Sequence, residues 1–288
     1  MVFIMTQLIP GCPIMIYLGD YYTYEAFLIV QQRWGLDQPL VVQFINFTVN
    51  AFQGYLVYSF HFRRPVFFLI SERFVYTFRI ALGSFILAYI VGITTGTLAA
   101  IYRGTKIDSI LMAIQISFIS SPVFWTALIL QIIFGLHLGV LPISGLRSWH
   151  GYVLPILTLG LRLSAIVARQ TRTNMLDVIR QDYVRTARSK GLSEFFVIMK
   201  HAFKNALIPV VTFGALQFGG LVTGSMLVER VFTIHGLGSL IVDAFMMRDR
   251  PLLSGTVLYV GAVVVLMNMI ADLLYGVVDP RIRVEEQG

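Results

Sequence analysis

No charged residue occurs between Arg79 and Arg103, and this is the first of several long apolar runs in the chain. A helix that crosses a bilayer needs ~20 largely apolar residues. Residues 74–102 meet that requirement, and residues 109–134, 206–228 and 251–278 meet it as well. Residues 152–167 form a weaker span, interrupted by Arg162. Charged residues make up only 13% of the chain and hydrophobic ones 57%, against roughly 25% charged in a soluble domain. The chain therefore reads as an all-α polytopic membrane protein.

Details inside the spans predict how they pack. Gly83, Gly92 and Gly96 offer small surfaces that another helix can approach closely, and 206–228 is rich in small residues. Pro122 predicts a kink in 109–134, tolerable where neighbouring helices or Ser120 and Ser121 re-satisfy the backbone. Residues 1–9 are apolar but too short to cross, and Pro10, Gly11 and Pro13 end them in a turn. They read as a partial first membrane helix or an interfacial stub, and a partial span brings the expected count to about six. Residues 1–18 lack a basic leading region, so no cleavable signal peptide is expected. Residues 20–73 are mixed and aromatic and predict short helices at a membrane surface plus a loop, with tyrosines as an interfacial belt. A short amphipathic helix is expected near 240–247, within a mixed loop at 229–250.

The basic residues set the orientation. Residues 169–204 hold eight of them: Arg169, Arg172, Arg180, Arg185, Arg188, Lys190, Lys200 and Lys204. Arg103 and Lys106 lie in the turn after the first full span, and Arg281 and Arg283 in the tail. The opposite loops hold Arg147 in one, and Arg230, Arg248 and Arg250 in the other. Cytoplasmic loops carry the excess of Lys and Arg, so 169–204 and the C-terminus are placed in the cytoplasm. Segments 20–73 and 229–250 then face outside.

Several chemistries have no sequence signature. None of the four lysines follows a glycine, which excludes a G-x4-G-K phosphate loop. The five histidines are scattered, without H-E-x-x-H. No G-x-S-x-G elbow occurs. The single cysteine, Cys12, excludes an intramolecular disulfide and a cysteine-cluster metal site. No enzyme, cofactor or metal role is expected, and the basic residues report orientation rather than nucleic-acid binding.

Residues 182–209, DYVRTARSKGLSEFFVIMKHAFKNALIP, are the one long segment that is basic, helical in pattern and without a bilayer-length apolar run. Gly191 breaks a first helix, and Ser193 can N-cap a second over 194–203. Thr186, Ala187 and Gly191 are small enough for another protein's backbone to come close. Arg185, Arg188 and Lys190 can pair with carboxylates on a partner. A loop that merely enforces orientation remains the plain alternative.

The segment resembles the cytoplasmic EAA-type loop of binding-protein-dependent ABC importer permeases, with Arg185, Thr186, Ala187 and Gly191 at the matching positions. DYVRTARSKGL followed by HAFKNALIP is similar to the B-type subunit of the dipeptide/oligopeptide (peptide/nickel) group, and the likeness covers essentially the whole chain. LIPGCP, WGLDQPL, RRPV, ARQTRTNMLDVI, VERVFTIHGLGSLIVDAFMMRDRPLLSG and DLLYGVVDPRIR all fit it. Arg185 replaces the general Glu, as is common in the peptide group. His235 stands where the group usually has Pro, and the loop's late proline is at Pro209. The first helix lacks its N-terminal half, which suggests a true start upstream of Met1.

The resemblance implies a type I ABC importer transmembrane fold. Residues 1–72 would be a partial first helix plus an extracytoplasmic segment, 73–278 the permease domain with its coupling loop at 182–209, and 279–288 a cytoplasmic tail. It implies a bacterial inner-membrane protein that works with a second homologous permease subunit, two ATPase subunits that bind ATP and Mg, and an extracytoplasmic binding protein. Arg185, Thr186, Ala187, Arg188, Lys190 and Gly191 would form the ATPase-coupling helix. The implied cargo is a dipeptide or oligopeptide, with nickel, a nickel chelate or glutathione as alternatives. A secondary transporter would need paired repeats or an acidic relay, and neither is present. Among polar residues in the spans, Arg162 could line the pathway and meet a peptide carboxylate, or pair elsewhere or snorkel. Gln217 could face the pathway or pack. Asp272, one helical turn after Asn268, is expected to pair with a basic residue.

Overall fold

The structure is a computed structural model and describes residues 2–7, 11–52, 58–146 and 148–278. Regular structure among these residues is helical, apart from one bridge between Tyr58 and Pro65. The helices are α1 (Val2–Gln7), α2 (Pro13–Leu18), α3 (Tyr24–Arg33), α4 (Leu40–Phe52), α5 (Val66–Ile101), α6 (Lys106–Ser120), α7 (Val123–Leu130), α8 (Val153–Ile179), α9 (Asp182–Ser189), α10 (Glu194–Phe196), α11 (Lys204–Val231), α12 (Leu237–Met246) and α13 (Arg250–Val278).

Four helical stretches are long and apolar enough to cross a membrane: Val66–Ile101, Trp149–Ile179, Glu194–Gly214 and Arg250–Ala271. Lys106–Ser120 and Val123–His137 pass the same test as a pair bent by 107°, which makes five spans if the pair is one. The expected partial helix at the start is α1, six residues long, and residues 8–10 of its closing turn lie outside the described residues.

The chain groups into two compact units, residues 1–77 with 235–263, and residues 78–234 with 264–288. Both α5 and α13 contribute to each. Residues 235–263 thus fall with the N-terminal segment, a grouping that the sequence-based boundary at 72/73 does not contain. In the first unit, Val66, Leu69 and Ile70 of α5 pack with Leu237, Leu240 and Ala244 of α12 and Leu252 and Leu253 of α13. Asp249, 1% exposed, caps α13: its Oδ1 accepts from Leu252 N at 3.1 Å, with Pro251 at the second helical position where no N–H is needed. Thr23 caps α3 in the same way, accepting from Ala26 N at 3.2 Å.

In the second unit, α8 lies against α6, α7 and α11. The crossing of α5 and α8 is tight because of glycine. A Cβ on Gly92 would sit 2.8 Å from the Ser164 carbonyl oxygen, and one on Gly160 3.1 Å from that of Ser84. Small residues at such crossings let backbones approach and gain dispersion contact where lipid offers no hydrophobic drive. The Tyr89 hydroxyl of α5 donates to the Val210 carbonyl of α11 at 2.9 Å.

Two breaks differ from expectation. Pro122 does not kink one helix but separates two: α6 ends at Ser120, and Ser121 is extended, with ψ 135°. The ring of a proline pushes the preceding residue out of the helical region. Conversely, the expected helix over 194–203 and the span from 206 are one helical path. α10 passes through a π turn at Val197–Phe203 directly into α11, and Pro209 lies inside that helix. Helical structure therefore resumes at Glu194 and runs without interruption past Pro209. Ser193 occupies the N-cap position without a side-chain cap bond.

Candidate functional site

The segment at 182–196 lies within the second unit and has two faces. On α9, Val184 and Ala187 are buried, one helical turn apart, and pack with Val197 of the π turn and Val178 of α8. Burying a valine side chain stabilises by about 1.5–3 kcal/mol, so this contact fixes α9 on the helices behind it. Behind it in turn, Met175, Ile198, Ala202 and Ala206 form a cluster with Ala100 at the end of α5. Val178 packs against both clusters, so close-packed side chains join α9 to α8, the π turn and α5.

The opposite face carries Arg185, Thr186, Arg188 and Lys190, all exposed. Arg185 approaches Asp182 at 3.7 Å with both side chains well exposed. The Thr186 hydroxyl donates to the Asp182 carbonyl at 2.9 Å. Gly191 ends the helix: its φ is +77°, a left-handed conformation, and its N–H donates to the Arg188 carbonyl at 2.9 Å. A Cβ there would meet nothing within 4 Å, so the glycine answers a backbone demand rather than crowding within this chain.

Arg188 is held differently from the free cation that the spacing suggests. Its Nε donates to Glu194 Oε2 at 3.0 Å and its Nη2 to Oε1 at 2.6 Å. This bidentate pair spans the Gly191 turn and staples α9 to α10. Hydrogen bonding to Glu194 holds the Arg188 guanidinium above its ordinary pKa, against a smaller opposing effect of burial. Ala187 faces inward, so its small side chain serves packing within this chain. Arg185, Thr186, Lys190 and Gly191 stay outward. Phe195 joins them, 77% exposed. Neither Glu194 nor Phe195 falls at a position that the EAA-type motif marks. Opposite charges on either side of a helix-ending glycine could have pointed to the first.

Arg162 projects from α8 to the α6–α7 break. Its Nη1 donates to the Ile119 carbonyl at 3.3 Å and to the Ser121 carbonyl at 3.2 Å. The last carbonyls of a helix have no partner within it, and here one guanidinium supplies two. Two further polar pairings hold α8. Gln115 of α6 donates to the Thr95 hydroxyl at 3.2 Å and accepts from the Ser164 hydroxyl at 3.2 Å. Asp108, at the start of α6, takes Arg172 Nε at 2.8 Å and Nη2 at 2.7 Å, and accepts from Gly104 N at 3.1 Å. Gln217 is half-buried on α11, and no hydrogen bond brings it to Arg162. The Asp272 side chain lies outside the described residues.

A profile of the family described as "Binding-protein-dependent transport system inner membrane component" matches residues 92–284. The glutathione transport system permease protein GsiC of Escherichia coli strain K12 is 42% identical over 283 residues, covering 98% of this chain and 92% of that one. Its counterpart in Shigella boydii serotype 4 is 41% identical over the same shares. Among solved structures, an inward-facing form of the MetNI methionine ABC transporter is similar with a TM-score of 0.63 at 19% identity, over 74% of this chain and 97% of that one. An amino acid ABC transporter with histidines is similar with a TM-score of 0.57 at 14% identity, over 74% and 94%.

Proposed function

The chain belongs to the family of binding-protein-dependent transport system inner membrane components, and from that premise we propose that it carries glutathione or a similarly short anionic peptide. As a permease component of an ABC importer it is a multi-pass inner-membrane protein, is not an enzyme and holds no cofactor; ATP is hydrolysed by a separate subunit. ATPase and binding-protein partners follow from the family. The relatives named for glutathione transport support that cargo over the broader dipeptide/oligopeptide reading.

In this reading a second homologous permease completes the pathway and two ATPase subunits sit on the cytoplasmic side, as does the C-terminus. Arg185, Thr186, Lys190, Gly191 and Phe195 face an ATPase, while Ala187 and the Arg188–Glu194 staple keep the helix rigid. The observation that carries this is the two-faced α9: apolar residues lock it to α8 and the π turn, and charged and small residues remain outward. A lever must be stiff on one side and available on the other. Cells lacking this chain should lose uptake of labelled glutathione in exchange for energy from ATP, and regain it with the restored chain. Undiminished glutathione uptake in the deleted strain, alongside lost uptake of a neutral dipeptide, would return the cargo to the broader peptide class. Arg185→Cys should cross-link to the ATPase; a cross-link only to the binding protein would place α9 on the outer side.

A further inference from the structure

One feature of the first unit has no part in the coupling reading. The residues around the Tyr58–Pro65 bridge form a tight turn, closed by Ser59 N donating to the Arg64 carbonyl at 2.9 Å and Arg63 N to the Ser59 carbonyl at 3.0 Å. Asp249 pins it: Oδ2 accepts from the Ser59 hydroxyl at 2.5 Å and from His61 N at 2.9 Å. The same carboxylate caps α13, so Arg248, the residue before it, is brought to the turn. Arg63 and Arg248 both line one cavity of about 290 Å³. Arg63 also lines an adjoining one of about 360 Å³ with Arg33, Trp34 and Tyr58.

The backbone at both arginines is unusual. Arg63 has φ +52° and Arg248 φ +54°, a left-handed conformation that non-glycine residues rarely adopt and that concentrates at ligand sites. The side chains have room made for them. Gly11 has φ +112°, and a Cβ there would collide with the Arg248 guanidinium; Arg250 holds the turn by donating to the Gly11 carbonyl at 3.2 Å. The glycine of the Pro-Gly-x-Pro turn thus seats an arginine. Arg63 lies 5.2 Å over the Tyr17 ring, Tyr17 meets Trp34 edge-on at 4.9 Å, and Trp34 stacks on Phe60 at 3.6 Å. Neither Arg63 nor Arg248 has an ion pair among the described residues, and Asp249, the residue after Arg248, is already occupied by three donors.

We infer that this cavity is an oxyanion site: Arg63 and Arg248 take a carboxylate or phosphate group, and Tyr17 and Phe60, the latter stacked on Trp34, pack against the apolar part that carries it. Two arginine forks in an aromatic-walled recess suit such a group better than a cation or a neutral apolar ligand. The group can come from a small peptide or from a lipid headgroup. The site stands whether or not the importer reading of α9 holds.

The test uses the purified full chain in nanodiscs of zwitterionic lipid, with Trp34 fluorescence as the signal and Trp34→Phe as the control that removes it. The probes are glutathione, its diethyl ester and dihexanoyl phosphatidylglycerol. At least one oxyanion probe is expected to saturate, the ester to bind at least tenfold more weakly than glutathione if glutathione is the one, and Arg63→Gln and Arg248→Gln each to raise Kd about tenfold. Saturation by glutathione assigns the group to a peptide, and saturation by phosphatidylglycerol alone to a lipid; either supports the site. Absence of saturation by both, or equal binding in the doubly substituted chain, overturns it. Where the Gln variants do not fold, Arg63→Lys and Arg248→Lys decide: Lys keeps the charge but not the fork, and unchanged Kd in both overturns the assignment. Glutathione uptake by cells is read separately, so its presence without binding here removes this site and leaves the transport reading intact.

Discussion

The second unit contains two helix breaks, and it satisfies them in opposite ways. At Pro122 the chain turns by 107° between α6 and α7, inside a stretch with the apolarity of a membrane span. The loose carbonyls there are met from a distance by Arg162, 41 and 43 residues further on. At Gly191 the break lies on an exposed basic segment and is closed locally, by a left-handed glycine and by the Arg188–Glu194 pair six residues apart. The difference follows from water. A helix end in water can borrow hydrogen bonds from solvent, whereas one at membrane depth must find a protein donor or lose roughly several kcal/mol per group. A break inside an apolar span is therefore a long-range commitment, and one on a polar segment is a local choice.

The sharpest way to break this contrast is Arg162→Met, which keeps length and removes the donors. It should destabilise the full chain in detergent by about 1–3 kcal/mol, read as a lower midpoint in thermal unfolding. Pro122→Ala in that background should restore part of the loss by letting the helix continue. If Arg162→Met melts with the wild type, water reaches the break and the contrast fails. Next in size is Gly191→Val. The left-handed backbone should cost about 1–2 kcal/mol, and uptake should fall with it. Gly191→Asn, which tolerates that conformation, should retain more uptake than Gly191→Val; the reverse order would mean that side-chain character at this exposed turn, not backbone strain, is what matters. Gly191→Asp separates charge from bulk, and should uncouple ATP hydrolysis from uptake more than Gly191→Asn does. The smallest effect is expected from Glu194→Gln. An exposed pair of this kind contributes roughly 0.2–1 kcal/mol, and less at high salt. A loss that persists unchanged in concentrated salt would show that the staple is more enclosed than its exposure indicates.

Much of the fold could be read directly because apolarity is a local property. The runs at 74–102 and 251–278 correspond to α5 and α13 within a turn or two, and Gly92 already marked a close helix approach. Reading failed where the partner was far away or carried no side-chain signature. Arg162 is answered by backbone carbonyls, which every residue has, so nothing in its neighbourhood predicts its acceptors. Asp108 and Arg172 are 64 residues apart, and a basic turn gives no hint of which acid it closes upon. The direction of Ala187 could have been seen: Val184 and Ala187 repeat at helical spacing, which marks an inward stripe on a segment otherwise too polar to pack. Pro209 lies inside α11. Spans tolerate it, and here the Asn174 amide reaches the neighbouring Ala206 carbonyl at 3.3 Å.

The anchor at Asp249 also sets an order in time. Its partner Ser59 lies 190 positions earlier in the chain, and α12, which completes the apolar core around Val66 and Ile70, is nearly as distant. While the ribosome is still making the intervening helices, the turn at Tyr58–Pro65 has neither its pin nor its core. Such late, non-local closure is slow and leaves early segments exposed. Synthesis arrested anywhere before His235 would yield a first unit without the packing of α12 and α13 on α5, a ready substrate for membrane quality-control proteases. α12 is in this sense the chain's own completion signal.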